Sequence, residues 1–364
     1  MRIAFVASAA SIHSYRWVRY FARAGHEVSL ISFHPWGFEK IENVCLLRVG
    51  RPFAKWFPPA LLVSAYRARQ AIAKLMPHIV HAHSAGLYGV TGALAGFHPL
   101  VLTAWGSDIL VTGRAPLKKY AVSMALREPD LITCDAEHMR RTMMEMGVDG
   151  RKIERIMFAT DLELFKPGPQ DAALRERLGV AASPVVVSTR NLRKIYNVEL
   201  LVNAVPLVLE RHRDTKFMIV GSGPEAGRLK ALADTLGVAK CMRFVGSIQP
   251  DVLPEYLRLA TVYVSTARSD AGLASSTGEA MACELPVIVT DVKDNREWVR
   301  EGENGFVVGA DDPAGLAEKI GVLLEDDKLR RTFGERSRRL IADRYNFKTE
   351  MKRMEGLYQR VLRG

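Results

Sequence analysis

Short, mainly apolar runs alternate with longer amphipathic segments along almost the whole of this chain, and the pattern starts twice. Residues 3–7, 27–31, 44–49, 79–82, 100–103 and 131–133 have the β-branched and aliphatic make-up of buried strands. Between them, 15–24, 60–75, 87–95 and 117–126 carry helical spacing. A strand that is apolar on both faces must be covered on both faces, which calls for a parallel sheet between two layers of helices.

Phe165-Lys166-Pro167-Gly168-Pro169 then breaks the rhythm, since two prolines and a glycine stop either kind of element. The alternation resumes with strands expected at 185–189, 217–220, 243–245, 262–265, 287–290 and 306–308. Helices are expected at 198–211, 225–236, 252–259, 276–283, 313–324 and 328–344. The expected fold class is α/β, two Rossmann-like doubly wound domains facing each other across a crevice. The first would span 1–165 and the second 170–345, with a last helical segment, 346–364, returning to the first. In open sheets of this kind ligands sit at the carboxyl ends of the strands, but the architecture suits transferases, epimerases and phosphorylases equally.

A length of 364 residues fits two such domains, and 48% hydrophobic with 25% charged residues fits a soluble globular chain. Cys45, Cys134, Cys241 and Cys283 are scattered, which argues for a reducing compartment without a disulfide framework or a zinc site. No apolar run reaches the ~20 residues of a membrane span. The first apolar run is too short for a signal peptide and reads as a first strand. The net charge is +11, and from Glu42 to Asp108 there is no acidic residue between them, while Arg48, Arg51, Lys55, Arg67, Arg69 and Lys74 lie there. That stretch is either a solvated basic face or a surface for an anionic partner.

The most informative segment is 265–298. Its pattern is strand, loop, helix, strand, with Leu273-Ala274-Ser275-Ser276 opening the helix. Free amides at a helix start favour a diphosphate, and Glu279, one turn on, could accept hydrogen bonds from a ribose diol or simply be solvated. Ser188-Thr189-Arg190-Asn191-Leu192-Arg193-Lys194 follows the first strand of the second domain, where an arginine and a lysine could offset a leaving diphosphate. Gly221-Ser222-Gly223-Pro224-Glu225 reads first as a tight strand-to-helix turn and second as a phosphate contact. In the first domain, His13 sits in the serine-rich loop 8–14, and Trp105-Gly106-Ser107-Asp108 follows a strand. Trp105 and Asp108 could bind sugar by stacking and hydrogen bonding, or pack and cap a helix. His81 and His83 alternate on one strand and face one way, with no third ligand at a spacing that suits zinc. The chain has no Asp-x-Asp pair to chelate a diphosphate-bound metal.

Gly272, Glu279-Ala280-Met281-Ala282-Cys283, Leu285-Pro286-Val287-Ile288-Val289-Thr290-Asp291 and Asn295-Arg296-Glu297-Trp298 together resemble the C-terminal signature of the retaining glycosyltransferases of family four. Phe165-Lys166-Pro167, Val220-Gly221-Ser222-Gly223-Pro224-Glu225, Phe244-Val245-Gly246 and Gly302-Glu303-Asn304-Gly305-Phe306-Val307-Val308 extend the likeness in the right order. The resemblance implies the two-domain GT-B architecture and transfer from a nucleotide sugar. It implies catalytic roles for Arg190, Lys194, Glu279 and Asp270, and donor binding by Gly272, Ser275, Ser276, Glu279, Gly221, Gly223 and Ile248. It puts His13, Trp105, Ser107 and Asp108 on the acceptor side. Four departures stand out: Ala271 replaces the first signature glutamate, with Asp270 beside it as a substitute; Tyr196-Asn197 falls where the family has its lysine, leaving Lys194 as a shifted stand-in; Trp105 falls where a histidine is usual; and serines and His13 replace the usual glycine pair in 8–14.

The expected reaction is hexosyl transfer with retention from a nucleotide-diphosphate donor to a glycan or lipid-linked acceptor, without metal or cofactor. The alternatives are a nucleotide-sugar epimerase of the same fold and a non-catalytic nucleotide-sugar-binding subunit. The expected partners are the donor, the acceptor and an anionic membrane surface, with no nucleic acid. The expected location is the cytoplasm, peripheral on the inner face of the membrane.

Overall fold

The computed structural model describes residues 1–50, 58–110, 116–270, 272–292 and 295–364; the side chains of residues 58, 59, 107, 110 and 116–118 lie outside the description. The chain divides into two compact units, one made of Met1–Phe158 with Lys348–Gly364, the other of Ala159–Phe347. The dividing line falls upstream of the proline-rich stretch at Phe165.

The first unit runs β1 (Arg2–Val6), α1 (Ile12–Arg23), β2 (Glu27–Ser32), β3 (Val44–Arg48), α2 (Pro58–Leu75), β4 (Ile79–His83), α3 (Leu87–Ala95), β5 (Leu100–Thr103), α4 (Ser107–Leu110), α5 (Pro116–Arg127), β6 (Leu131–Cys134), α6 (Glu137–Glu145) and β7 (Ile153–Arg155). The strands form one parallel sheet in the order β3-β2-β1-β4-β5-β6-β7. Strands β4, β5 and β6 are buried along their whole length, as their apolar runs require. Edge strand β7, with the sequence Ile-Glu-Arg, and α6, with its many charged residues, were not anticipated, because neither carries a long apolar pattern.

The second unit runs α7 (Ala172–Arg177), β8 (Val185–Ser188), α8 (Val198–Arg211), β9 (Lys216–Val220), α9 (Ala226–Thr235), β10 (Met242–Gly246), α10 (Leu253–Arg258), β11 (Val262–Ser265), α11 (Ser275–Ala282), β12 (Val287–Thr290), α12 (Asn295–Trp298), β13 (Gly305–Val308), α13 (Pro313–Glu325) and α14 (Asp327–Arg344). Its sheet is again parallel, in the order β10-β9-β8-β11-β12-β13. Val186, Leu201, Phe217, Val262, Ile320 and Phe333 lie in its core. Asp171, Asp312 and Asp326 cap α7, α13 and α14 through their side chains.

The last helix, α15 (Phe347–Arg363), buries Met351, Met354 and Tyr358. Within the first unit Glu350 accepts a hydrogen bond from Met157 N at 2.8 Å, and Arg360 pairs with Glu154 at 2.7 Å. The Tyr358 hydroxyl lies 2.5 Å from His81 Nδ1, and His81 Nε2 lies 2.7 Å from the Thr103 hydroxyl, itself 2.7 Å from that of Thr133. This buried relay crosses β4, β5 and β6 and leaves both nitrogens of His81 engaged.

Candidate functional site

In each sheet the strand order reverses once. The reversal lies between β1 and β4 in the first unit and between β8 and β11 in the second. Loops leave such neighbours in opposite directions and open a crevice at their carboxyl ends, the usual ligand site of open α/β sheets.

In the second unit Arg190 lies just past the tip of β8 and Asp270 in the loop after β11. Arg190 Nη2 donates to Asp270 Oδ1 at 2.5 Å, and Nη1 donates to the Ser276 hydroxyl at 3.2 Å. Both charged side chains are nine-tenths buried. The guanidinium carbon lies over the Tyr196 ring, 4.2 Å from its centroid. Burial works against the Arg190 charge, but Asp270, Tyr263 and Tyr196 prevail and raise its pKa. Burial also pushes the Asp270 carboxyl up, with Arg190 opposing. Arg190 Nε, Asp270 Oδ2 and the hydroxyls of Ser188, Thr189 and Ser265 are buried without a hydrogen-bond partner among the described residues. The Tyr263 hydroxyl sits among those of Ser276, Thr277 and Thr189 without a well-formed bond. Buried polar atoms are seldom left unpaired, which makes the carboxyl end of this sheet a candidate site for a polar ligand.

Helix α11 begins beside Arg190, which meets its Ser276. Its N-cap, Ala274, has no side chain able to cap, so the Ser275 and Ser276 amides lack the carboxylate partners that α7, α13 and α14 have. Glu279 is buried on the same helix. Gly272 holds a left-handed φ of +70° just ahead of it. Ala271 lies outside the described residues.

The glycine-rich turn after β9 supports the β8 tip. A Cβ on Gly221 would stand 2.5 Å from Arg190 O, and one on Gly223 2.2 Å from Leu192 O. Leu192 N donates to Ser222 O, and Glu225 N donates to Leu192 O, each at 3.0 Å. The glycines are therefore needed for close backbone approach. Ser222 also reaches the exposed turn after β10, where its hydroxyl lies 2.6 Å from that of Ser247, next to the half-buried Ile248. Lys194 is exposed and lines a separate cavity of about 80 Å³ with Glu199, Glu225, Arg228 and Arg268. It is Tyr196, two residues on, whose side chain meets Arg190.

In the first unit His13 opens α1 and His83 ends β4, so they flank the reversal point. His13 stacks on Phe158 at 4.8 Å and meets Trp105 edge-on at 5.5 Å, while the His83 and Trp105 rings lie 5.7 Å apart. Burial, reinforced by Arg16, lowers His13 to about 4, and burial, reinforced by His13, lowers His83 to about 3. Both imidazoles are neutral at physiological pH. His83 Nε2 and the Trp105 indole Nε1 are buried and unpaired among the described residues. Asp108 serves the local structure, accepting from Ala85 N at 2.6 Å and from Trp105 N at 3.0 Å and so tying the exits of β4 and β5 together. The Ser107 side chain lies outside the description. His83 and Phe158 escaped the sequence reading of this cluster, since neither lies near Trp105 in the chain. Among the described residues no group of three His, Cys, Asp or Glu is placed to hold a metal ion.

Comparison with known proteins bears on both halves. A family model described as glycosyl transferases group 1 matches residues 171–340, and one described as glycosyl transferase 4-like matches residues 2–136. N-acetyl-alpha-D-glucosaminyl L-malate synthase of Bacillus anthracis is 25% identical over 354 residues, covering 94% of this chain and 91% of the relative. A GDP-mannose-dependent alpha-(1-6)-phosphatidylinositol monomannoside mannosyltransferase of Mycolicibacterium smegmatis is 27% identical, covering 74% of this chain and 72% of the relative. Among solved structures, Anabaena HepE in complex with UDP-glucose superposes with a TM-score of 0.84 at 19% identity, covering 99% of each chain. Sucrose-phosphate synthase of Thermosynechococcus elongatus gives 0.82 at 20%, again over 99% of each. These two share the fold, the GT-B architecture expected from the two alternating halves. With a matching family model on either side of the connector, the chain belongs to the group 1 glycosyl transferases.

Proposed function

We propose that this glycosyltransferase moves a hexosyl group with retention from a nucleoside-diphosphate sugar to a glycan or lipid-linked acceptor, and that Arg190 carries the leaving diphosphate. The observation that supports this most is the buried, incompletely paired guanidinium at the reversal point of the second sheet, beside the uncapped start of α11. As the bond from the anomeric carbon to the diphosphate oxygen breaks, negative charge grows on the leaving group. Arg190 and the Ser275 and Ser276 amides are fixed donors for it and need no reorganisation at that moment. The acceptor oxygen bonds to the anomeric carbon on the face the diphosphate leaves, and its proton passes to a phosphate oxygen. In this reading Glu279 holds the ribose, and Ile248 and the turn after β10 border the base. His13 and Trp105 belong to the acceptor side, where neutral rings and an unpaired indole N–H suit an uncharged hydroxyl-bearing group. The diphosphate charge is met by protein groups rather than by a metal.

The same reading puts the enzyme in the cytoplasm, peripheral on an anionic bilayer. Helix α2 leaves Leu62, Val63 and Tyr66 exposed at 60%, 50% and 62%, and exposes Arg67, Arg69 and Lys74 further along. Apolar side chains leading into basic ones suit a headgroup boundary. The adjoining Arg51 and Lys55 lie outside the described residues. Among the described residues no helix is long and apolar enough to cross a membrane.

The test is turnover on a panel of UDP- and GDP-sugars with glycan and lipid acceptors, in buffer with and without EDTA, for wild type and Arg190→Ala. The relatives' names span GDP-mannose and a UDP-glucose complex, so both bases belong in the panel. Arg190→Ala is expected to lower kcat by about 100-fold or more with a smaller change in donor KM, as for loss of one preorganised donor in a transition state. A loss confined to KM would remove Arg190 from this role. Abolition of activity by EDTA, restored by Mg²⁺, would overturn the metal-free reading.

A further inference from the structure

We propose that Tyr196 is a positioning residue whose ring fixes the Arg190 guanidinium in the orientation that meets the donor diphosphate. The proposal rests on the reading of Arg190 given above. A guanidinium binds phosphate through hydrogen bonds in its own plane, so the tilt of that plane decides how many of them can form. Asp270 and Ser276 hold two nitrogens within the plane. Neither prevents the plane from tilting about the line joining them. The guanidinium carbon lies over the Tyr196 ring, 4.2 Å from its centroid, and contact with that ring opposes the tilt.

The support beneath the ring is rigid. Tyr196 ends a single 3-10 turn, Lys194–Tyr196. Its N–H donates to Arg193 O at 2.9 Å, and its carbonyl accepts from the buried Thr266 hydroxyl at 3.0 Å. Ile195 O accepts from Arg268 N at 2.9 Å. Asn197 follows in a left-handed conformation, φ +47°, and its side chain donates to Ala310 O at 2.8 Å. Bonds from the β11 exit and from the loop after β13 thus pin the turn on both sides. A side chain on such a base is held in place by structure that itself touches no ligand. An aromatic ring also suits this position electrostatically, because a second cation against a buried guanidinium would repel it. The nearby cation, Lys194, points into another cavity.

The experiment measures affinity by calorimetry for UDP against UMP and for GDP against GMP, on the full chain. The ratio of diphosphate to monophosphate affinity reports the phosphate that Arg190 meets, whereas general damage to the nucleotide site moves both. Tyr196→Leu is expected to lower the ratio by about three- to thirtyfold, the span of cation–π contacts from exposed to desolvated, with monophosphate affinity unchanged. Tyr196→Phe, which keeps the ring, should retain the wild-type ratio. In an Arg190→Ala background Tyr196→Leu should change the ratio no further, because the ring acts through the guanidinium. If Tyr196→Leu fails to fold, Tyr196→Met takes its place in the same comparison. Equal losses of mono- and diphosphate binding, or a Tyr196 effect that persists without Arg190, would overturn the proposal. So would a Tyr196→Phe variant as impaired as the leucine one. A wild-type protein with no preference for either diphosphate would overturn the reading of Arg190 itself, whatever Tyr196 does.

Discussion

Gly223→Ala adds one methyl group to the turn between β9 and α9, and the structure fixes what that group meets. It would stand 2.2 Å from the Leu192 carbonyl oxygen and 2.6 Å from the carbonyl carbon. The obstacle is backbone, so it cannot rotate aside, and the turn must move away from the β8 tip. That movement breaks the two 3.0 Å bonds joining Leu192 to Ser222 and Glu225. The lost bonds cost roughly 1 kcal/mol each, and overpacking adds ~1–3 kcal/mol. A total of about 3–5 kcal/mol lowers Tm by roughly 6–20 °C in a domain of this size. Because Gly221 in the same turn packs on the Arg190 carbonyl, affinity for UDP or GDP should fall together with Tm. The matched control is Gly227→Ala, on exposed α9 with nothing within 4 Å of the new Cβ. It should gain about 0.5–1 kcal/mol from helix propensity. Scanning calorimetry and nucleotide titration measure both. Gly223 has no positive φ, and alanine keeps its amide. A turn that needed only its amides would accept the substitution, so a Gly223→Ala Tm within about 1 °C of wild type would refute the packing argument.

Two further outcomes follow from the first unit. The pKa of His13 lies at about 4 in the folded protein against an ordinary 6.5, so between these values the unfolded chain binds more protons. Its contribution to stability is complete above about pH 6.5 and is lost as pH falls towards 4; His13→Gln should flatten the acid limb of urea midpoints measured from pH 4 to 8, and an unchanged limb would mean that His13 is charged in the fold. For the membrane face, the protein should sediment with anionic but not neutral vesicles, less so at high salt. Lys74→Glu with Arg69→Glu should weaken this by about thirtyfold, at about 1 kcal/mol per basic residue; negligible sedimentation with both vesicle types would leave α2 a solvated face.

Each expected strand has a counterpart in the structure, because a parallel sheet imprints its burial as continuous apolar runs. Arg190 was legible as a strand-tip cation for the same reason: its place depends only on where β8 ends. Its surroundings were not legible. The pairing with Asp270 joins residues 80 apart in sequence, and that with Ser276 joins residues 86 apart, so no local spacing signals either. The cation expected at Lys194 illustrates the difference. Sequence placed a positive charge near the β8 tip, but the 3-10 turn sends that side chain outward and brings the Tyr196 ring in. Asp108 has the composition of a sugar acceptor, yet its oxygens bond the Ala85 and Trp105 amides, a role decided by how β4 and β5 lie side by side. Both sheets take the common 3-2-1-4-5-6 order of doubly wound folds, whose reversal points single out the residues after β1, β4, β8 and β11.

The relay from Tyr358 through His81 to Thr103 and Thr133 also has a bearing on how the chain is born. His81 lies in the middle of the first sheet, but the hydroxyl its Nδ1 meets belongs to a helix that leaves the ribosome after the whole of the second unit. Until residue 358 emerges, that nitrogen has no such partner. The second unit, continuous from Ala159 to Phe347, is complete before then. Synthesis therefore finishes the second unit first, and a transcript that stops short of Tyr358 yields a finished second half attached to a first half without its final seal.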